Sequence, residues 1–399
     1  MQKKSSPYSL LALCVLTYTT VYMLRVNYSA ALPAIQSQLR LTEQQLGLIG
    51  GAFFMTYALG QLVNGFISDA VSPFKFVVFA LVGTVGLNLL VSCTDSMGGL
   101  LLFWCLNGYF QSIFWACLTR ILALYFPKEK HSTVALAMSF SMAAGFIITW
   151  AGLGRLLQSA AWNRFFAVPA LWGLVMLLLW LVVLRKTRSL EIPKSPFSLD
   201  GLRHSVRFIR EKRLYYVCLI CLCMSFVKES ISVWGPTIIA RIMGVRLNSS
   251  TLILCIIPVG NLCGTFLAKC IIDRLRGNEL KTLSLLFCAI AAGAGLLYLF
   301  KERYLLFTVL LIVEVSAMCM GCNSILLSYI PLSYAKYNLV STIVGIFDFS
   351  SYVGASLSSV LIGSVLTGGH WTDMALLWLA AMVLALGLSA VAKRKTTLY

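Results

Sequence analysis

Charged residues are scarce in this sequence: only 12% of its 399 residues are Asp, Glu, Lys or Arg, whereas 59% are apolar. The apolar residues gather in long runs, and a helix of about 20 such residues crosses the roughly 30 Å hydrocarbon core of a membrane. So little charge excludes a water-soluble globular protein. The runs predict an all-α membrane protein.

The sequence also lacks the residue patterns on which most enzymes depend. It has only three histidines, His131, His204 and His370, all in or beside loops, and neither a Ser-His-Asp set nor a group of metal ligands. No glycine-rich phosphate loop is present, so the sequence does not support ATP-driven transport by this chain. The 13 cysteines lie almost wholly in apolar segments without paired spacing, which argues against a disulfide framework. We therefore expect neither an enzyme nor a bound cofactor or metal ion.

Basic residues outnumber acidic ones 32 to 14, which gives a formal charge of +18. If both termini are cytoplasmic, 21 Lys and Arg fall on the cytoplasmic side, seven fall on the other side, and four lie within or at the ends of apolar runs. This asymmetry is the positive-inside bias of membrane proteins. It predicts a multi-pass protein of the cell membrane, which we place in a bacterial inner membrane, in contact with lipid and not with nucleic acid.

Twelve apolar runs predict twelve transmembrane helices. A polar stretch separates the first six from the last six, and its periodic apolar residues indicate a helix lying on the membrane surface. We therefore predict an N-terminal six-helix bundle at 1–185, a cytoplasmic linker at 186–213 and a C-terminal six-helix bundle at 214–399. The runs are 8–32, 45–69, 76–94, 99–126, 132–156, 164–185, 214–240, 249–273, 281–299, 304–331, 338–365 and 372–392.

The two halves repeat one another in pattern. Arg25 in the first run is followed eight residues later by Pro33, and Lys228 in the seventh run is followed eight residues later by Pro236. The pattern Phe-Ser-x-x-x-Gly occurs in both the fifth and the eleventh run. Matches in the same order predict two related bundles, with a substrate site at their interface near the membrane midplane.

Arg25 and Lys228 are cations inside apolar runs. Each costs about 2.5 to 3.5 kcal/mol to place at a helix centre on insertion scales, so an unpaired cation there needs a reason. Arginine offers a planar fork of donors that matches two oxygens of a phosphate or carboxylate, and lysine adds a point charge. We predict that the pair binds a small anionic solute.

Protein carboxylates are the alternative partners for these cations. Glu229, Asp348 and Glu314 all lie inside apolar runs. Neighbouring residues on a helix point about 100° apart, so we expect Asp348 to be a better partner for Lys228 than Glu229 is. Carboxyl groups inside a membrane also leave open a proton-coupled mechanism. Glu314 has the alternative role of a polar residue bonded between helices.

Other polar side chains are candidates for completing the site. Tyr22 lies three residues before Arg25, hence on nearly the same helix face, so we predict that it lines the site. Tyr57 and Gln111 are further candidates for hydrogen bonds to a polar solute, although such residues also bond between helices.

Four charged residues at run ends are candidates for gating. Asp69 and Asp273 close the second and eighth runs, Arg274 follows Asp273, and Arg120 ends the fourth run. We expect their charge pairs to hold the cytoplasmic side closed in one state and to break in the other, as alternating access requires.

The segment Gly108–Arg120, with its continuation to Lys130, resembles the fourth-helix signature of the organophosphate:phosphate antiporters. These are the glycerol-3-phosphate and hexose-6-phosphate transporters of the major facilitator superfamily. Residues 22–27 and 233–236 are also similar to that family, and the similarity runs through almost the whole chain. The resemblance implies twelve helices in two pseudo-symmetric six-helix bundles that rock around a phosphate, which is held from two sides at the positions of Arg25 and Lys228.

The sequence departs from that family at several positions. Lys228 stands where the family has Arg, and Val26, Gln61 and Ser141 stand where members often carry Lys, Lys and His. These differences argue against glycerol-3-phosphate and hexose phosphates in particular. The resemblance implies a monomeric secondary transporter of an anionic, phosphorylated metabolite. A proton-coupled organic-anion carrier and a sugar-phosphate sensor that does not transport remain alternatives.

Overall fold

The computed structural model describes residues 7–127, 130–154, 161–187, 207–243, 254–300, 305–334, 340–369 and 371–395. Within these ranges the chain is almost entirely helical, without a strand, and twelve helices are long and apolar enough to cross a membrane. The predicted all-α class with twelve spans is confirmed.

We name the helices α1 to α12 in chain order. The first six are α1 (Pro7–Leu39), α2 (Glu43–Ala70), α3 (Pro73–Ser92), α4 (Met97–Tyr125, bent at Ser112), α5 (His131–Ile147 and the π-helical Ile148–Leu153) and α6 (Arg164–Thr187). The last six are α7 (Tyr215–Met243), α8 (Ile256–Arg274), α9 (Glu279–Phe300), α10 (Leu305–Ser333, with a π-helical stretch at Ile325–Tyr329), α11 (Val340–Thr367) and α12 (Asp373–Lys395).

These bounds match the predicted runs to within a few residues, with two exceptions. Helix α1 continues past residue 32, through Pro33 to Leu39, and α8 begins at Ile256 and not at residue 249. The extension stays helical because Ile35 is fully buried against the rest of the molecule. The linker predicted at 186–213, including most of its surface helix, lies largely outside the described residues, as do His204, His370 and the side chain of His131. The three-segment division therefore stays a prediction.

The outer helices present apolar side chains to the surroundings. On α6, Leu171, Val175 and Leu178 are exposed, whereas α1 and α7 bury most of their length. Exposed apolar side chains of this density suit contact with lipid tails and not with water. The position of α1 and α7 inside the molecule places Arg25 and Lys228 in its interior.

Helix α2 begins with a capping box. The Thr42 hydroxyl accepts a hydrogen bond from the Gln45 main-chain N–H at 3.2 Å, and the Gln45 side chain accepts one from the Thr42 N–H at 2.9 Å. Two otherwise unpaired donors are satisfied in this way, which fixes the start of the helix. The cap positions the first turn of α2 against α7 and α11.

Helices α2 and α11 share an extensive interface between the two halves. A Cβ atom added to Gly47 would lie 2.4 Å from the main-chain oxygen of Ser359, and the Ser356 hydroxyl donates to the Gly51 carbonyl oxygen at 2.8 Å. Only glycine permits so close an approach of two helix backbones. We call this end of the molecule, where α2 begins and α11 ends, the sealed end.

Polar contacts reinforce the sealed end. Arg241 at the end of α7 forms an ion pair with Glu43 in the first turn of α2, and the Gln44 N–H donates to the Thr367 hydroxyl at 2.9 Å. These contacts join α2 of the first half to α7 and α11 of the second. The two halves are therefore closed together at this end.

Candidate functional site

Arg25 lies in the middle of α1, where five aromatic rings enclose its guanidinium group. The guanidinium carbon lies 5.0 to 5.7 Å from each ring centroid. Rings at this distance attract a cation through their quadrupoles without neutralising its charge. The rings are those of Tyr22, Phe53, Phe54, Tyr57 and Tyr352.

The polar contacts of Arg25 leave most of its donors uncommitted. Its Nη1 donates to the Tyr352 hydroxyl at 3.1 Å. Within the described part of the chain, no carboxylate oxygen lies within 4.0 Å of its guanidinium nitrogens. A guanidinium group has five N–H donors in a fork that suits phosphate or carboxylate oxygens. Arg25 can therefore bind an anion at this position.

A buried polar network fixes the backbone of α1 next to Arg25. The Leu24 carbonyl oxygen accepts hydrogen bonds from Gln111 Nε2 at 3.0 Å and from Asn88 Nδ2 and Asn107 Nδ2 at 3.4 Å each. These amides come from α3 and α4, so the network ties three helices together. Gln111 is buried in this network, and a contact with the solute stays a prediction.

Two predicted tyrosines do meet Arg25. Tyr22 and Tyr57 both belong to the ring set, and the Tyr57 ring packs against that of Tyr352 with centroids 4.2 Å apart. The sequence reasoning missed Phe53, which lies four residues before Tyr57 and thus on the same face of α2, together with Phe54. The spacing from Tyr57 was a signal that could have identified Phe53.

Lys228 has a carboxylate partner, but not the expected one. Its Nζ lies 3.0 Å from Glu229 Oε1 and donates to Asn323 Oδ1 at 3.2 Å. The expectation that Asp348 pairs with Lys228 is wrong in this structure. The long, flexible side chains of Lys228 and Glu229 bring their charged ends together although neighbouring helix positions point about 100° apart.

Asp348 lies on α11 and accepts a hydrogen bond from Gln61 Nε2 on α2 at 2.9 Å. Among the described side chains, no Lys or Arg nitrogen lies within 4.0 Å of its carboxylate. Tyr352, which bonds Arg25, follows Asp348 by four residues, so the two lie about one turn apart on the same face of α11. Asp348 therefore lies near the Arg25 site without an ion pair of its own among the described residues, although the charges of Lys228 and Arg25 both act on its carboxylate.

Glu314 lies elsewhere. Its Oε2 is buried without a hydrogen-bond partner in the described part of the molecule, and a Cβ atom added to Gly293 of α9 would lie 2.3 Å from it. The side chain is therefore packed between α10 and α9. The position places Glu314 away from Arg25, and its role as a polar residue bonded between helices stays a prediction.

The predicted gating residues lie at or near the ends of α2, α4 and α8. Arg120 donates to the main-chain oxygens of Ser68 and Val71, the latter at 3.1 Å, and so ties α4 to the end of α2. Asp273 and Arg274 are exposed at the end of α8, and no ion pair of either residue occurs among the described side chains. The side chain of Asp69 lies outside the described residues, so its charge pair stays a prediction.

Comparison with known proteins identifies the family to which the chain belongs. The model of the Major Facilitator Superfamily matches residues 14–359. The chain is 25% identical over 404 residues to the "Membrane sensor protein UhpC" of Salmonella typhimurium, covering 94% of this chain and 88% of that protein. It is 22% identical over 400 residues to the "Glycerol-3-phosphate transporter" of Bacillus subtilis, covering 92% and 88%.

Solved structures agree on the fold. A bacterial homolog of the human lysosomal transporter Spinster, in an inward-facing and unoccupied conformation, matches with a TM-score of 0.73 and 16% identity, over 99% of this chain and 98% of that one. The resemblance to the organophosphate:phosphate antiporter group is confirmed by the curated relatives. The matched family and its structural neighbours are transporters, not enzymes. The chain is a multi-pass membrane protein that belongs to the Major Facilitator Superfamily.

Proposed function

We propose that this protein is a secondary transporter of a small, anionic, phosphorylated metabolite, working by alternating access in the manner of organophosphate/phosphate exchange. The observation that carries the proposal is Arg25, a cation in the membrane interior with no close carboxylate among the described residues. A cation in this environment is costly unless an anion meets it during the working cycle. The similarity to a protein named as a glycerol-3-phosphate transporter supports a phosphorylated solute.

The sealed end supports alternating access. With both termini cytoplasmic, as the positive-inside bias predicts, the start of α2 and the end of α11 face away from the cytoplasm. We infer that this is an inward-facing state, and we propose that the protein works as a monomer in a bacterial inner membrane. Opening the sealed end requires that the Glu43–Arg241 ion pair and the α2–α11 contact at Gly47 separate.

Two other functions have support from specific observations. Asp348, without an ion pair among the described residues, favours a proton-coupled organic-anion carrier. The similarity to a protein named as a membrane sensor favours a sugar-phosphate sensor that binds without transporting. Flux in reconstituted vesicles separates the sensor from both carriers.

The experiment is exchange in vesicles that contain the purified protein and radiolabelled inorganic phosphate. We expect external phosphate and organic phosphates, but not simple carboxylates, to release the label. The Arg25→Ala variant should lose the release, whereas Lys75→Ala, which changes an exposed cation, should keep it. Binding without flux would favour the sensor, and carboxylate uptake driven by a pH gradient would favour the organic-anion carrier.

A further inference from the structure

The charges at the interface between the halves sum to zero. Arg25 and Lys228 are balanced there by Glu229 and Asp348. A phosphate dianion entering such a site brings two negative charges to a place without a positive excess. Uncompensated charge is costly in the membrane interior, so the balance constrains which solute binds.

One cation and one carboxylate of the four already satisfy each other. Lys228 and Glu229 are 3.0 Å apart, and Asn323 completes the coordination of Lys228 at 3.2 Å. The pair is mostly buried, with side-chain exposures of 16% and 9%. Separating a mostly buried ion pair is costly, so we expect Lys228 and Glu229 to stay paired when a solute binds.

The other two charged groups are those of Arg25 and Asp348. Their charges are opposite, and neither forms an ion pair among the described residues. They are neighbours through α11, because Arg25 bonds Tyr352 and Asp348 lies one turn before it. The Cα atoms of Asp348 and Tyr352 are about 6 Å apart along the helix axis. A solute bound at Arg25 that has a second charged group a few bonds away is of a size to extend toward Asp348. Both side chains are partly exposed.

The hydrogen bonds of Asp348 leave one oxygen for a solute. Gln61 donates to Oδ2 at 2.9 Å, and no hydrogen bond to Oδ1 occurs in the described part of the chain. Gln61 lies one turn after Tyr57 on α2, opposite the turn of α11 that separates Asp348 from Tyr352. The carboxylate is thus held in place by a neutral donor beside the ring set around Arg25.

We propose that the solute carries an ammonium group in addition to its anionic group, and that Asp348 binds the ammonium while Arg25 binds the anion. The chemical class is an aminoalkyl phosphate or aminoalkyl phosphonate. The inference rests on the proposed function, since it assumes an anionic group at Arg25. Asp348 then selects zwitterionic solutes, and the loaded site has a smaller net charge than a site that holds a plain alkyl phosphate.

The test compares phosphoethanolamine with ethyl phosphate, two probes that share a phosphate ester and differ by one ammonium group. Apparent dissociation constants come from the melting temperature of the purified full-length protein against probe concentration at neutral pH. We expect the wild-type protein to bind phosphoethanolamine at least about tenfold more tightly, as for a close charge pair. Asp348→Asn should reduce this preference to less than about twofold, whereas Asp95→Asn, which removes an exposed carboxylate between α3 and α4, should keep it.

Each other outcome decides against the inference. Equal or tighter binding of ethyl phosphate by the wild-type protein overturns it and leaves the proposed function standing. Failure of both probes and of inorganic phosphate to stabilise the protein overturns the proposed function as well. A third outcome is that the wild-type protein binds ethyl phosphate more tightly at low pH and that Asp348→Asn binds it equally tightly at neutral pH. This result would show that Asp348 takes up a proton and does not bind an ammonium group. If Asp348→Asn does not fold, the comparison of phosphoethanolamine with ethyl phosphate on the wild-type protein decides alone.

Discussion

Arg241, near the end of α7, forms an ion pair with Glu43 in the first turn of α2. This contact joins the two halves of the molecule at the sealed end, and the Glu43 side chain is nearly buried there, with 8% exposure. In the proposed transport cycle this pair belongs to one state, because opening of the sealed end must break it.

A double-mutant cycle on this pair should show coupling. We expect Glu43→Gln and Arg241→Gln each to lower the melting temperature, and the double variant to lower it by less than the sum. The coupling free energy should be about 1 kcal/mol, because the pair is only partly exposed. Additive effects would show that the ion pair does not stabilise the sealed end.

Gly47 should tolerate no side chain. In Gly47→Ala the new Cβ would lie 2.4 Å from the Ser359 main-chain oxygen, so α2 and α11 must separate at the sealed end. We expect phosphate exchange to fall at least about tenfold, since the inward-facing state is lost.

Gly86 on α3 provides the matched control, because nothing lies within 4 Å of a Cβ atom placed there. Gly86→Ala should leave exchange unchanged and raise stability by about 0.5 to 1 kcal/mol. Equal exchange by both alanine variants would contradict the role assigned to the close contact.

Glu229→Gln should leave Lys228 without its counter-ion. Removing one partner of a buried ion pair costs about 3 to 5 kcal/mol, and Asn323 offsets part of this loss. We expect a lower melting temperature that inorganic phosphate restores more strongly than in the wild-type protein, because the site now has a positive excess.

The double variant Lys228→Met with Glu229→Met removes both charges, and we expect it to melt closer to the wild-type temperature than Glu229→Gln does. A Glu229→Gln protein with wild-type stability, with or without phosphate, would show that the pair does not balance the site.

The sequence predicted the fold well, because the hydrocarbon thickness sets the length of each apolar run. Runs such as 76–94 and 281–299 match α3 and α9 to within a few residues. The end of α1 was not predictable in this way. Its last turns continue beyond the run because Ile35 packs against other helices, and hydropathy does not report that packing.

The candidate site was only partly predictable. Arg25 and Tyr22 followed from the cost of a cation inside a run and from spacing on one helix. Tyr352 was missed, because its contact with Arg25 depends on how α11 packs against α1. Gln111 was predicted to line the site, and its amide donates to the carbonyl oxygen of Leu24. This hydrogen bond was not predictable, because a main-chain acceptor has no signal in the sequence.

The role of Arg25 is tested by the melting temperature of the purified protein against the concentration of inorganic phosphate, for the wild type and for Arg25→Ala. At a hundred times its dissociation constant, a bound ligand adds about 2.7 kcal/mol to the stability of the folded protein. We predict a clear rise in melting temperature for the wild type and none for Arg25→Ala. An equal rise in both proteins would contradict the assignment of Arg25 as the anion-binding residue.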